Sequence, residues 1–212
     1  AGDGRFYWER RLHGAAPSGA VFDEASVFVG AQDRDGAAEA YELAPGFLVW
    51  RREIDPPIVA PLLHERVTYW GTETGRLHAL SANDGSQLWR LDFAGGIVAT
   101  PIVDGADVLV ATNADTLYRV EMRTGRITGR MALPATPSAN GAFDGRYLHL
   151  PLHDTTYAIV DVRERRVAAR FRTGTLVRST PVLDREGAAY VLTEAARVLR
   201  MRPDGDELIA DL

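Results

Sequence analysis

The chain has 212 residues, of which 46% are hydrophobic and 25% charged, with a formal net charge of −5 and no cysteine. This length and composition are typical of a folded domain that can bury a sizeable core. The acidic balance gives no electrostatic support for nucleic-acid binding, and the lack of cysteine excludes disulfides, thiol catalysis and cysteine-ligated metals. No apolar run approaches the roughly 20 residues that cross a bilayer. No signal peptide opens the chain, so in an exported protein Ala1 would follow a removed or omitted segment.

The predicted elements are short strands bounded by turn residues, and no window of helical length has a clear 3.6-residue period. The first is Phe6–Leu12, which looks like the last strand of an incomplete repeat. Five groups of four strands follow. The first two groups are 17–22, Ser26–Ala31, Ala38–Leu43, Phe47–Ile54; then 58–63, Arg66–Gly71, Arg76–Leu80, Gln87–Phe93. The last three are 97–103, Asp107–Thr112, Thr116–Glu121, Arg126–Leu133; 139–143, Arg146–Leu152, Thr155–Val160, Arg166–Arg172; and 176–183, Ala188–Thr193, Arg197–Met201, Glu207–Leu212.

Residues 77–91 form the clearest hairpin, in which an Asn-Asp-Gly turn leads into a strand that carries a tryptophan. Its pattern of a turn glycine four residues before an outer-strand position recurs along the chain. The glycines are Gly46, Gly85, Gly125 and Gly205, and the tryptophans are Trp8, Trp50 and Trp89. Successive glycines lie about 40 residues apart, except that the last interval is doubled, with Arg165 at its midpoint. Such a fixed period indicates a repeat array.

A second set of residues keeps the same register at the junction between the first two strands of each group. Its members, again spaced by about 40 residues, are Asp23, His64, Asp104, Asp144 and Asp184. One aspartate per repeat at the same turn is better explained by Asx-turn capping than by acid–base catalysis.

Four-stranded units of about 40 residues predict an all-β fold, a β-propeller of about five antiparallel blades. We expect one domain over 1–212, with blades at 14–54, 55–93, 94–133, 134–173 and 174–212 and with residues 6–12 as an extra outer strand. The outer-strand tryptophans are predicted to wedge between neighbouring blades. The sequence predicts about twenty-one strands, whereas a closed ring of five four-stranded blades has twenty. The chain is therefore predicted to form either a ring with one displaced end or an open arc of a larger propeller.

Leu77–Trp89, Leu-His-Ala-Leu-Ser-Ala-Asn-Asp-Gly-Ser-Gln-Leu-Trp, resembles the tryptophan-docking motif of the pyrroloquinoline-quinone-like (PQQ-like) propeller repeat family. Val67–Leu77 is similar to the strand pair that precedes this motif, and Val98–Gly105 and Val177–Asp184 resemble the family's blade openings. The resemblance extends from Phe6 to Leu212 and implies blade docking by the glycines and tryptophans named above.

What the resemblance implies about function depends on the branch of the family. The dehydrogenase branch has eight blades, a quinone cofactor and often an adjacent cysteine pair, whereas this chain has five blades, no cysteine and no assignable calcium site. We therefore expect no enzyme activity and no cofactor. The non-catalytic, BamB-like branch implies a periplasmic or other extracytoplasmic scaffold that binds protein partners, such as an envelope complex. The alternative is a sensing ectodomain that binds a small molecule in the propeller funnel.

The remaining chemical candidates give no catalytic, metal-binding or cofactor-binding site. His149 and His153 lie in a strand pattern, where residues four apart are separated by roughly 13 Å, and His64 holds a turn position. The arginines of two short basic segments are predicted to be exposed to solvent or, alternatively, to form a docking rim for an acidic partner. They are Arg51, Arg52, Arg163, Arg165 and Arg166.

Overall fold

The computed structural model of the chain describes residues 7–32, 35–202 and 205–211, the last range as backbone only. Those residues form twenty strands and no helix, arranged in five antiparallel sheets of four strands each. The chain divides into two compact units, Ala1–Phe93 and Ala94–Leu212. In the described part of the chain, no helix is long and apolar enough to cross a membrane.

The first unit holds two blades, and in each blade every strand pairs with the next one along the chain. The strands of the first blade are β1 (Val21–Phe22), β2 (Ser26–Ala31), β3 (Ala37–Glu42) and β4 (Leu48–Glu53). Those of the second are β5 (Leu62–His64), β6 (Val67–Gly71), β7 (Arg76–Ser81) and β8 (Gln87–Asp92). The first strands of the two blades, β1 and β5, contact each other.

The second unit holds three blades with the same meander order. The third blade consists of β9 (Ile102–Asp104), β10 (Asp107–Thr112), β11 (Thr116–Glu121) and β12 (Ile127–Ala132). The fourth consists of β13 (Ala142–Phe143), β14 (Tyr147–Pro151), β15 (Thr156–Asp161) and β16 (Arg166–Arg172). The fifth consists of β17 (Val182–Leu183), β18 (Ala189–Leu192), β19 (Arg197–Arg202) and β20 (Gly205–Asp211). Five four-stranded blades with a period of about 40 residues are a β-propeller fold.

The middle strands of the blades are buried on both faces. In β15, Tyr157 and Ile159 belong to an apolar cluster shared with the fifth blade. Ala158 and Val160 belong to a second cluster, shared with the third blade. Because successive strand residues point to opposite faces, one strand contributes to two cores at once. Stacking of neighbouring blades therefore supplies the burial that a single four-stranded sheet lacks.

Each blade carries a β-bulge in its outer strand, where the register against the third strand shifts by one residue. The residues left without a partner in the ladder are Val49, Leu88, Thr128, Ala168 and Ile209. Each directly precedes a residue at the docking position of the repeat: Trp50, Trp89, Gly129, Ala169 and Ala210. A bulge bends its strand and re-aims the next side chain. The repeated bulge therefore determines where a side chain at the docking position points.

The first strand of each blade is shorter than the sequence predicts. Strands predicted over five to eight residues contain only two or three, and an isolated bridge lies upstream of each, as between Pro57 and Thr72. In three blades a proline stands immediately before the strand, at positions 61, 101 and 181. Proline has no N–H to donate to the ladder, so the strand begins after it.

The strand predicted at Phe6–Leu12 was wrong for residues 7–12, which form no strand; Phe6 lies outside the described residues. This segment is held by side chains instead of a backbone ladder. The Arg10 guanidinium donates hydrogen bonds to the carbonyls of Pro45 and Gly46 at 3.1 and 2.7 Å. The strand predicted at Glu207–Leu212 begins earlier, at Gly205 in β20, and Leu212 lies outside the described residues.

Candidate interaction surface

Trp50 lies between the two blades of the first unit. Its side chain is 7% exposed, and its indole N–H donates a 2.9 Å hydrogen bond to the carbonyl of Ala82 in the next blade. A Cβ atom added to Gly85 would lie 2.6 Å from the Trp50 ring, closer than real Cβ contacts. Gly85 also has φ +68°, a conformation that favours glycine. The ring and the glycine therefore form a close contact that no larger residue could replace without movement.

Trp8 makes the equivalent contact with the first blade, although it does not lie in a strand. Its indole N–H donates a 2.9 Å hydrogen bond to the carbonyl of Leu43, and an added Cβ on Gly46 would collide with its ring. Leu43 and Ala82 each stand three residues before the turn glycine of their blade. The two interfaces thus share one geometry: an indole over a glycine, hydrogen-bonded to the carbonyl three residues earlier.

The other predicted docking residues divide between the two units. Trp89 is half-buried in the first unit, and its ring packs against that of Tyr69 at 5.7 Å between centroids. Gly125, in the second unit, has φ +72° in the corresponding turn. In the fifth blade, Gly205 is not the residue that corresponds to Gly46, because the β19–β20 pairing puts Asp206 in that register.

The outer edge of the first blade, residues 47–53, exposes apolar side chains. Phe47, Leu48 and Val49 are 61%, 46% and 44% exposed. Strand β4 is the last strand of its sheet, so within the described residues no further strand pairs with its outer side. The Arg10 guanidinium lies over the Phe47 ring at 5.6 Å. Contiguous exposed apolar residues on a strand edge are typical of a protein-binding surface.

Arg51 and Arg52 follow these apolar residues in the same strand, but their environments differ. Arg51 is drawn inward by the fully buried carboxylate of Glu39, at 3.3 Å, and also pairs with exposed Glu53 at 3.2 Å. Arg52 is exposed and makes no hydrogen bond or ion pair with any described residue. The charge of Arg52 is therefore not compensated by any described residue, whereas the charge of Arg51 is compensated by Glu39 and Glu53.

Sequence reasoning missed the cluster around Glu39. Its carboxylate lies 2.7 Å from the ring Nδ1 of His13 and accepts a 2.7 Å hydrogen bond from the Tyr41 hydroxyl. Burial and this hydrogen bond raise the pKa of Tyr41 above its ordinary value. A buried carboxylate is tolerated when it is paired and hydrogen-bonded, as here. The cluster fastens the 7–20 segment to the first blade.

Arg163 and Arg165 lie in the turn before β16, and Arg166 is the first residue of that strand. All three belong to the second unit, whereas Arg51 and Arg52 belong to the first. Arg166 pairs with Glu164 at 2.7 Å, and Arg163 reaches the carbonyl of Gly145 at 3.4 Å. Arg165 makes no hydrogen bond or ion pair with the residues that the structure describes; its guanidinium lies over Gly129.

The remaining polar candidates have structural surroundings. The Asx-turn prediction is confirmed where side-chain oxygens of Asp23, Asp144 and Asp184 accept backbone N–H bonds at 2.6–2.9 Å. It is wrong for Asp104, which pairs with Arg119 at 2.6 Å. His149 is fully buried, although His153 is exposed. Among the described residues, no group of three His, Cys, Asp or Glu side chains could hold a metal ion.

The fold and the repeated indole-on-glycine contacts define the chain as a β-propeller of PQQ-like repeats. Residues 34–203 match the profile of the family described as outer membrane protein assembly factor BamB, and the chain belongs to that family. The BamB of Burkholderia pseudomallei (strain K96243) is 31% identical over 121 residues, which are 56% of this chain and 31% of that protein. The chain thus spans about a third of the length of this curated relative.

Solved structures share the fold at lower identity. The crystal structure of BamB from Moraxella catarrhalis matches with a TM-score of 0.78 at 15% identity, covering 96% of this chain and 66% of that one. The computationally designed Ika8 protein matches with a TM-score of 0.76 at 14% identity, covering 93% of this chain and 61% of the other. At these identities the matches show the fold alone.

Proposed function

We propose that the chain is a non-catalytic scaffold that binds a protein partner in an extracytoplasmic, envelope-associated complex. The observation that carries the proposal is the match of residues 34–203 to a family of outer membrane protein assembly factors. The curated relative from Burkholderia pseudomallei is likewise an outer membrane protein assembly factor. The expectation that this chain has a protein partner and lies outside the cytoplasm rests on that likeness.

The outer edge of the first blade is the docking surface that we propose. It combines three exposed apolar residues, Phe47, Leu48 and Val49, with the unpaired cation of Arg52. An apolar centre flanked by a charged rim is the usual composition of a protein interface. Aromatic side chains at such a centre contribute much of the binding energy, so Phe47 is the expected anchor.

A quantitative pull-down of the tagged chain from a gently solubilised cell envelope tests this function. We expect one partner in a stoichiometric amount with the wild-type chain, and at least about tenfold less with a Phe47→Ser, Leu48→Lys double variant. Phe22→Ser is the matched control, because Phe22 is also exposed, by 70%, but lies in β1 at the opposite side of the sheet. Circular dichroism of each variant checks that the sheets remain folded.

Recovery of no partner above background with the wild-type chain would contradict the scaffold. If Phe22→Ser reduced recovery of the partner as much as the double variant does, the proposed surface would be contradicted, although the proposed function would not. A specific thermal shift with a metabolite or quinone, with no captured partner, would favour the ligand-sensing alternative, in which the ligand binds in the propeller funnel.

A further inference from the structure

The fourth blade begins differently from its neighbours, because an asparagine and a glycine precede its first strand. In the fourth blade that strand follows Asn140 and Gly141. The residue in the place of this glycine is a proline in three other blades: Pro61, Pro101 and Pro181. Proline has no N–H, whereas the N–H of Gly141 is present and makes no hydrogen bond with any described residue. Of these four blade openings, only that of the fourth blade therefore has a free backbone N–H directly after an asparagine.

The side-chain amide of Asn140 is hydrogen-bonded on its oxygen only. The oxygen Oδ1 accepts a 2.8 Å hydrogen bond from the backbone N–H of Thr100, in the opening of the third blade. The amide nitrogen makes no hydrogen bond with the part of the chain that the structure describes. If the nitrogen of Gly141 attacks the side-chain carbon Cγ, negative charge develops on Oδ1. A backbone N–H directed at that oxygen stabilises the transition state of such an attack.

The surroundings of this pair admit water and favour glycine. Both Asn140 and Gly141 are partly exposed, so solvent reaches the reacting atoms. A Cβ atom added to Gly141 would lie 2.8 Å from the side chain of Leu150 and 3.1 Å from the carbonyl oxygen of His149. Since glycine has no side chain and a wide range of backbone conformations, it is the residue that least hinders attack by its own nitrogen on the preceding side chain.

We propose that Asn140 is a site of spontaneous deamidation in the folded chain. The nitrogen of Gly141 gives up its proton and bonds to Cγ of Asn140, the bond from Cγ to the amide nitrogen breaks, and ammonia leaves with that proton. Water then opens the resulting succinimide ring at either carbonyl and leaves aspartate or isoaspartate. The sum is asparagine and water giving an acidic residue and ammonia, with no oxidation or reduction.

The reaction changes the contact between the openings of the third and fourth blades. Aspartate at position 140 keeps an acceptor for the N–H of Thr100 and adds a negative charge. Isoaspartate instead inserts a methylene group into the backbone two residues before Ala142, where β13 begins. The reaction needs neither a partner nor an enzyme, so it is independent of the proposed scaffold function.

Peptide mapping by mass spectrometry of the purified chain, aged near neutral pH and at physiological temperature, tests the proposal. The chain contains three asparagines, Asn83, Asn113 and Asn140, so one sample reports on all of them. Asn113 is the matched internal control: its Oδ1 accepts a 2.8 Å hydrogen bond from the N–H of Gly96, but the next residue is alanine. We expect Asn140 to convert at least about tenfold faster than Asn113, a difference in barrier of about 1.4 kcal/mol.

Two variants and a peptide identify the cause. Gly141→Pro removes the attacking N–H and should abolish conversion at Asn140. Asn140→Gln keeps an amide but requires a larger ring, so it should also stay unmodified and serves if the proline variant does not fold. A capped peptide of residues 138–143 lacks the donor Thr100, so the folded chain should convert at least as fast as the peptide.

Four results would overturn the proposal. They are no conversion of Asn140 in the wild-type chain, equal rates at Asn140 and Asn113, undiminished conversion in Gly141→Pro, or slower conversion in the folded chain than in the peptide. The last result would mean that the fold protects this amide.

Discussion

His149 is a buried polar residue with no hydrogen-bond partner among the described residues. It is fully buried, and neither ring nitrogen contacts a donor or acceptor in the part of the chain described; the nearby Tyr157 hydroxyl is likewise unpaired. The two rings pack at 6.1 Å between centroids. Burial lowers the pKa of His149 to about 4, although the charge of Asp144 opposes the shift. The native chain therefore holds this imidazole in its neutral form.

The lowered pKa predicts a loss of stability in mild acid. Above about pH 6.5 His149 is neutral in both the folded and the unfolded chain, so the full stability is present. Between about pH 6.5 and 4 the unfolded chain binds a proton that the folded chain does not, which favours unfolding. At about 1.4 kcal/mol for each pKa unit, the loss is about 3 kcal/mol at pH 4. His78, whose pKa burial also lowers, acts in the same direction.

Urea unfolding at pH 7 and pH 4.5 measures this effect. His149→Leu should lose less stability than the wild-type chain on acidification, because leucine has no ionisable group that the unfolded chain could protonate. His153→Leu, at an exposed position four residues away, should behave like the wild type. An unchanged pH dependence in His149→Leu would show that other groups carry the effect. Carboxylates such as Asp161, whose pKa is lowered by the backbone N–H of Glu164 and by Arg146, act at lower pH.

At the scale of the element, the outer strand of one blade and the turn of the next are joined by the contact between Trp50 and Gly85. We expect Trp50→Ala to destabilise the chain by about 3–5 kcal/mol, since it empties a buried site. Gly85→Ala should also destabilise it, through the collision with the ring and through an alanine at positive φ. A double-mutant cycle of urea unfolding, followed by circular dichroism, separates the two causes.

The cycle has a specific expected result. Once Trp50→Ala has removed the ring, Gly85→Ala should cost only the positive-φ term, about 1–2 kcal/mol. Gly105→Ala is the matched control, because Gly105 has φ +63° and nothing within 4 Å of an added Cβ. Additive costs of Trp50→Ala and Gly85→Ala would mean that the methyl group added at position 85 does not collide with the ring.

The strands themselves differ in how far the sequence predicts them. The second and third strands are predicted almost to the residue, as at Ser26–Ala31 and Thr116–Glu121, because glycine and aspartate turns bound their apolar runs. The first strands are overestimated, since proline removes the donors that would lengthen them. The 7–12 segment reads as a strand because its alternation resembles one, but its hydrogen bonds come from the side chains of Trp8 and Arg10.

At the scale of the whole molecule, the repeat period makes the indole-on-glycine contacts predictable from the sequence, since Trp50 and Gly85 hold fixed places in it. The Glu39 cluster and the hydrogen bond between Thr100 and Asn140 are not predictable in this way. In a strand buried on both faces, alternation does not tell which neighbour a side chain meets. Asn140 is visible in the sequence as the residue before a glycine, but only the structure shows which donor meets its side-chain amide.

The charges are unevenly distributed between the two units. The first unit contains 9 arginines and 14 acidic residues, and the second contains 15 of each, so the net charge of −5 belongs to the first unit. All 24 basic residues are arginines, and the chain contains no lysine. Amine-reactive cross-linkers therefore reach no side chain of this protein, and partner mapping needs carboxylate-directed or photo-activated reagents.

The bulge that precedes each docking position occurs at the same place in every repeat. Successive bulges lie about 40 residues apart, and the interval is not the same in every blade, so the hairpins absorb insertions and deletions while the bulge keeps its place before the docking residue. A one-residue shift of the docking residue relative to the third strand would turn the ring to the opposite face of its sheet. The blades of this chain therefore differ in length at their hairpins, whereas the bulge residue and the docking residue stay adjacent in every blade.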